Sequence, residues 1–111
     1  MNQGPWTEID AQHDWYNLPR SAPPKRKVKE RVADYLEDYG DYDEATAREQ
    51  ARRCVECAEP LCVSGCPLGN RIPEWMLLTA EGQFLEAAAL SRSTSNMPEI
   101  CARVCPQERL C

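Results

Sequence analysis

All seven cysteines of this 111-residue chain fall between Cys54 and Cys111, in two groups. The first reads Cys54-x2-Cys57-x4-Cys62-x3-Cys66-Pro67, and the second reads Cys101-x3-Cys105-Pro106-x4-Cys111. Their density over that stretch, about 12%, exceeds the ~8–10% at which cysteine content stops looking like ordinary packing. Three chemistries compete for them. Disulfides need an oxidising compartment, and the polar, acidic stretch from Met1 to Asp14 is not a secretory leader. Zinc prefers two separated ligand pairs in one tetrahedron; the first group could build such a site and would leave the second three-coordinate. Iron–sulfur clusters suit the spacing better, because three close cysteines reach three corners of a cubane and a distant one reaches the fourth. In the bacterial ferredoxin run C-x2-C-x2-C-x3-C-P the last cysteine serves the other cluster, and Cys66-Pro67 repeats that tail behind a longer middle spacer. Proline lacks an amide donor and turns the chain away just after the ligand, a device used again at Cys105-Pro106. Gly65 leaves room for backbone close to a cluster.

The rest of the composition narrows the class. With 13 Lys plus Arg against 18 Asp plus Glu, the net charge of −5 argues against a module living on phosphate contacts. No apolar run approaches the roughly 20 residues of a membrane span. Residues 1–42 hold six of the eight aromatics, namely Trp6, Trp15, Tyr16, Tyr35, Tyr39 and Tyr42. That is too many for a purely disordered tail, and it predicts an arm that lays its rings on another surface. Pro19 to Pro24 is expected to be extended. The run Lys25 to Arg31 reads as a solvated linker, Val32 to Asp38 as a short helix, and His13 as exposed.

From Asp43 onward the helix signals become regular, and residues 43–111 are expected to form the cluster-binding domain. Asp43 is suited to cap a helix over Glu44 to Arg53, with Ala47 and Ala51 on one face. Pro73 suits the start of a second helix, whose apolar side carries Ile72, Trp75, Met76, Thr79 and Ala80. Gly82 interrupts it. Phe84, Leu85, Ala88 and Ala89 begin a third helix to about Arg92, and Asn96 and Pro98 open a fourth turn that Pro106 ends. No alternating strand pattern appears, so the expected fold class is small all-α. A domain of about 70 residues rich in alanine buries little apolar area and usually leans on disulfides, metals or a partner.

These residues also carry a resemblance. Ala47 to Cys111 contains R-x3-R-C-x2-C-x4-C-x3-C-P, N-x-I-P-x-W, E-G-x-F-x-E-A and M-P-E-I-C-x-R-V-C-P-Q-E-R-L-C. This stretch resembles the N-terminal domain of the glutamate synthase small (β) subunit, a helical module that also opens dihydropyrimidine dehydrogenase and related NAD(P)H-linked flavoprotein subunits. Pro23-Pro24-Lys25-Arg26, Val28 and Arg31 match more loosely. The resemblance implies an α-helical ferredoxin fold holding two 4Fe-4S clusters. By position it implies Cys54, Cys57 and Cys62 as ligands of the first cluster and Cys66, Cys105 and Cys111 as ligands of the second. It implies that Cys101 is not a ligand, which leaves it as a buried structural thiol. Family members continue past the last matched residue to a cysteine that completes the first cluster and a further residue that completes the second. The chain is therefore expected to be a fragment with three ligands for each cluster.

The implied function is electron transfer within a cytoplasmic NAD(P)H-dependent oxidoreductase. Electrons from NADPH would enter at FAD and leave to a glutamate synthase large subunit, or to an equivalent acceptor in a sister flavoprotein. A zinc-binding adaptor and a short ferredoxin-like carrier are the competing readings. No G-x-G-x-x-G occurs among Gly4, Gly40, Gly65, Gly69 and Gly82, so FAD and NADPH sites are expected elsewhere. With one histidine and no nucleophile–base pair, this stretch alone is not expected to be catalytic. Arg52, Arg53, Arg103 and Arg109 neighbour the cysteines and are candidates to stabilise a reduced cluster, with ordinary surface charge as the competing explanation.

Overall fold

The Asp43 carboxylate accepts the Thr46 amide at 2.7 Å and so starts the helix that anchors the molecule. That contact with a backbone donor holds the Asp43 carboxyl below its ordinary value. The computed structural model describes residues 8–110. Among the described residues eight helices follow one another: α1 (Asp14–Asn17), α2 (Val28–Arg31), α3 (Glu44–Ala51), α4 (Leu61–Gly65), α5 (Ile72–Ala80), α6 (Phe84–Arg92), α7 (Pro98–Val104) and α8 (Gln107–Leu110). Among the described residues there is no strand, only an isolated antiparallel bridge between Lys25 and Tyr39. The fold is all-α, as the periodicity predicts.

Three helices form the packed block. α5 lies between α3 and α6. The axes approach through small side chains, since Ala51, Ala80 and Ala87 are the buried apolar residues. Arg48 of α3 reaches across and donates from Nε to the Ala80 carbonyl at 3.1 Å, satisfying one of the acceptors that every helix end leaves open. α5 then closes with paired bonds, Gly82 N to Thr79 O at 3.0 Å and Gln83 N to Leu78 O at 2.8 Å. This Schellman turn needs a left-handed residue, and Gly82 supplies it at φ +84°. Asn70 ties the far end: its Oδ1 accepts Trp75 Nε1 at 2.6 Å, while its Nδ2 donates to Ser91 O at 3.1 Å and Thr94 Oγ1 at 2.8 Å. One amide thus joins the start of α5 to the exit of α6.

The N-terminal stretch follows α3 through polar contacts. Gln50 accepts the Ser21 amide and donates to the Pro19 carbonyl, both at 3.0 Å. The Tyr42 hydroxyl donates to Ser21 O at 2.6 Å. Asp14, 7% exposed, meets Arg52 Nε at 2.9 Å. The expectation of rings laid on a surface holds only in part. Tyr39 sits between Lys25 Nζ, 4.9 Å from its centroid, and Arg103 Cζ at 5.8 Å. Trp15, Tyr16 and Tyr35 stay exposed, and Trp6 lies outside the described residues. The short helix also falls earlier than expected. It occupies Val28–Arg31, while the Val32 to Asp38 stretch is turns and bends around a bidentate Arg26–Asp34 contact of 2.9 and 2.6 Å. That carboxylate draws the chain back on itself, because Asp34 Oδ1 also accepts the Leu36 amide. His13 is exposed as expected, and its Nδ1 is 2.8 Å from Asp10 Oδ2.

Candidate metal centre

The first cysteine group is strung around the end of α3. Cys54, half-buried, donates its amide to Ala51 O at 3.1 Å, so the helix end sets where it stands. Cys57 follows on an exposed loop. Between them Glu56 adopts φ +48°, a left-handed conformation that costs a side-chain-bearing residue about 1–2 kcal/mol. Cys62 lies in α4, and Cys66 is the residue that ends it.

Cys66 and Cys105 occupy equivalent places. Each caps the C-terminus of a short helix with extended backbone, at φ −73°, ψ 121° and φ −60°, ψ 118°, and each is followed by proline. Proline cannot continue the helix's hydrogen bonding, so the chain leaves both cysteines abruptly. Both line one apolar cavity of about 390 Å³, shared with Leu68, Ile72, Trp75 and Cys101. α4 and α8 also meet. A Cβ at Gly65 would strike the Leu110 carbonyl, so only glycine fits beside Cys66. Cys111, the remaining candidate ligand, lies outside the described residues, and Leu110 is its neighbour in sequence.

Cys101 differs from its expectation. It is exposed, not buried, and stands within α7, where its sulfur accepts the Ser95 hydroxyl at 3.4 Å. The four arginines also separate. Arg52 is committed to Asp14 and to Glu8 O, and Arg103 to Glu37 at 3.0 Å. Arg109 rides on exposed α8. Arg53, next to Cys54, keeps a buried Nε with no acceptor among the described residues. A buried donor without a partner is expensive; Arg31 Nε is left the same way outside the cysteine segments, so it is the position beside Cys54 that suits Arg53 to an acceptor at the cysteines.

These features fit an iron–sulfur cluster. An orphaned guanidinium donor beside one cysteine group, and an apolar cavity walled by cysteines at the other, suit an anionic group rich in sulfur acceptors. Cys54, Cys57, Cys66, Cys101 and Cys105 carry no disulfide. Among the described residues no three His, Cys, Asp or Glu side chains converge tightly enough to hold a single metal ion. A cubane is wider, with its ligands at separate corners.

Residues 31–111 match the protein family described as dihydropyrimidine dehydrogenase domain II, 4Fe-4S cluster. The chain belongs to that family. Among characterised proteins it is 44% identical over 99 residues to the glutamate synthase [NADPH] small chain of Escherichia coli (strain K12), covering 89% of this chain and 21% of that one. The corresponding small chain of Azospirillum brasilense is 48% identical over 89 residues, covering 80% and 18%. That of Halomonas elongata is 46% identical over 103 residues, covering 93% and 22%. The chain therefore spans about a fifth of the length of these relatives. Its place in a 4Fe-4S family agrees with the iron–sulfur reading of the cysteine spacing. The match begins at Arg31, ahead of the first regular helix signal at Asp43. No helix among the described residues is long and apolar enough to cross a membrane.

Two contributors left no readable signal in the sequence. Ser95 is a small polar residue in a Ser/Thr-rich turn, and Glu56 is an ordinary acidic residue in a spacer. Burial and the hydroxyl contact with Cys101 distinguish Ser95, and backbone geometry distinguishes Glu56. Asn70 was visible as part of N-x-I-P-x-W, though its role in closing α5 onto α6 was not.

Proposed function

We propose that this chain is the electron-transfer module of an NAD(P)H-dependent oxidoreductase of the glutamate synthase small-chain type, and that it carries two 4Fe-4S clusters. Cys54, Cys57 and Cys62 would hold the first, and Cys66, Cys105 and Cys111 the second. A bound cluster of this kind accepts and returns one electron at a time, at a potential set by hydrogen bonds to sulfur, nearby charge and solvent exposure. The residues of this chain supply those settings. Leu68, Ile72 and Trp75 give the cavity of Cys66 and Cys105 an apolar wall, and Arg53 offers a buried donor beside Cys54. NADPH and FAD would bind in parts of the protein other than this module, and the electrons would leave to a large subunit that forms glutamate. The observation that carries the reading is the pairing of Cys66 and Cys105 as matched helix-end residues on one apolar cavity, in a chain of this family. The family's description by dihydropyrimidine dehydrogenase supports a sister flavoprotein as the second reading for the final acceptor.

Anaerobic reconstitution with iron and sulfide tests the module. About eight irons with matching sulfide per extended chain, the content of two cubanes, and a reduced-state paramagnetic signal are expected. One tightly held zinc and no sulfide would overturn it. Replacing Cys54 or Cys66 by Ala is expected to remove one cluster's iron each, and additively when combined.

A further inference from the structure

Cys101 is the cysteine that the ligand assignment leaves over, and its surroundings give it a task. Ser95 is 5% exposed and donates its hydroxyl to Cys101 Sγ at 3.4 Å. A thiol sulfur that accepts a hydrogen bond keeps its own S–H free to point elsewhere. Cys101 opens onto the cavity shared by Cys66 and Cys105. The other side-chain N–H groups there are spent: Trp75 Nε1 donates to Asn70, and Asn70 Nδ2 donates to Ser91 and Thr94. Cys101 is also placed unlike a ligand. Cys66 and Cys105 end their helices before a proline, whereas Cys101 stands inside α7 one turn before Cys105, followed by Ala102. At that spacing the two side chains are neighbours on one helix face.

We propose that Ser95 and Cys101 form a positioning pair: the buried hydroxyl fixes the Cys101 sulfur, and the Cys101 thiol donates an S–H hydrogen bond to the sulfur shell of the cluster held by Cys66 and Cys105. This rests on the two-cluster reading above. A donor at a cluster sulfur withdraws electron density and favours the reduced state, so the pair raises that cluster's potential without binding iron.

The test uses the extended chain, reconstituted anaerobically, with iron and sulfide counted and potentials read by EPR-monitored redox titration. Cys66→Ala first identifies which signal belongs to the second cluster. Cys101→Ala and Ser95→Ala are expected to keep full iron and to shift that signal alone to lower potential. Ser95→Thr, which retains the hydroxyl, is expected to restore it. Loss of one cluster's iron in Cys101→Ala would make Cys101 a ligand and overturn the proposal. Full iron with an unchanged potential would make it a bystander and overturn it equally. If the unaltered chain takes up no iron and sulfide, the two-cluster reading itself has failed, an outcome distinct from either.

Discussion

The α3–α5–α6 block and the cysteine-bearing segments are held together by different means. In the block, Ala51, Ala80 and Ala87 are buried, backbone ends are capped by Asp43 and Arg48, and Asn70 locks α5 to α6. In α7 and α8 every residue from 99 to 109 is exposed, including Ile100 and Val104, and Leu61 of α4 is exposed as well. Helices this short are not stable on their own propensity. A helix that buries no apolar face must be fixed by something other than side-chain packing. For the cysteine segments the natural candidate is the inorganic core, which would stand where a larger domain places its Leu and Phe side chains. The contrast predicts that the two regions respond separately to different insults.

The largest effect is expected from iron removal. Chelation under anaerobic conditions should abolish hydrogen-exchange protection across α4, α7 and α8 and leave most of it in α3, α5 and α6. Uniform loss over all six helices would show that the block does not stand apart. The reverse insult is Ala80→Leu, which overpacks the crossing of α3 and α5 and should cost about 1–3 kcal/mol in chemical denaturation. Cluster content at low denaturant should stay unchanged, so iron loss in that variant would tie the regions together. A smaller change of opposite sign is expected from Glu56→Gly. Relieving the left-handed backbone at φ +48° should stabilise the loaded chain by up to about 1 kcal/mol, read as a raised unfolding midpoint. A lowered midpoint would mean the Glu56 side chain itself matters.

The smallest effect belongs to the N-terminal stretch. The Arg26 guanidinium, and then the Leu36 amide, hold the Asp34 carboxyl down to about 2. A depressed carboxyl contributes its stabilisation above the ordinary value of 3.8 and loses it as pH falls through about 2. Arg26→Gln should return the Asp34 titration toward 3.8 in carboxyl-detected NMR, with little change in overall stability because the pair is only partly covered and stays within reach of solvent. An unmoved titration would assign the shift to the Leu36 amide alone.

The helices of the block were legible because their signals are local. Asp43 announces a cap three residues before the amide it accepts, Pro73 sits one residue inside the start of α5, and Gly82 supplies the one left-handed turn the Schellman geometry requires. α1, α4 and α8 were not anticipated, since four or five residues give no periodicity to read. The placement of α2 was missed because Asp34 takes Arg26 as its partner from eight residues away, a choice between several nearby cations that spacing cannot rank. The same holds for the arginines beside the cysteines. Arg52 and Arg53 are adjacent and chemically identical, yet Asp14 claims one and leaves the other with a buried donor.

The sequence by itself determined the family, the all-α class and the cysteines available to bind iron, because ligand spacing and capping residues act over a few positions and need no knowledge of the rest of the chain. Only the tertiary structure decided which cysteines share a cavity, which of them accepts a hydroxyl from buried Ser95, and that Arg53 rather than Arg52 keeps a buried donor without an acceptor among the described residues. Those outcomes depend on competition among partners that are distant along the chain and become neighbours only after α3, α5 and α6 have packed through their alanines.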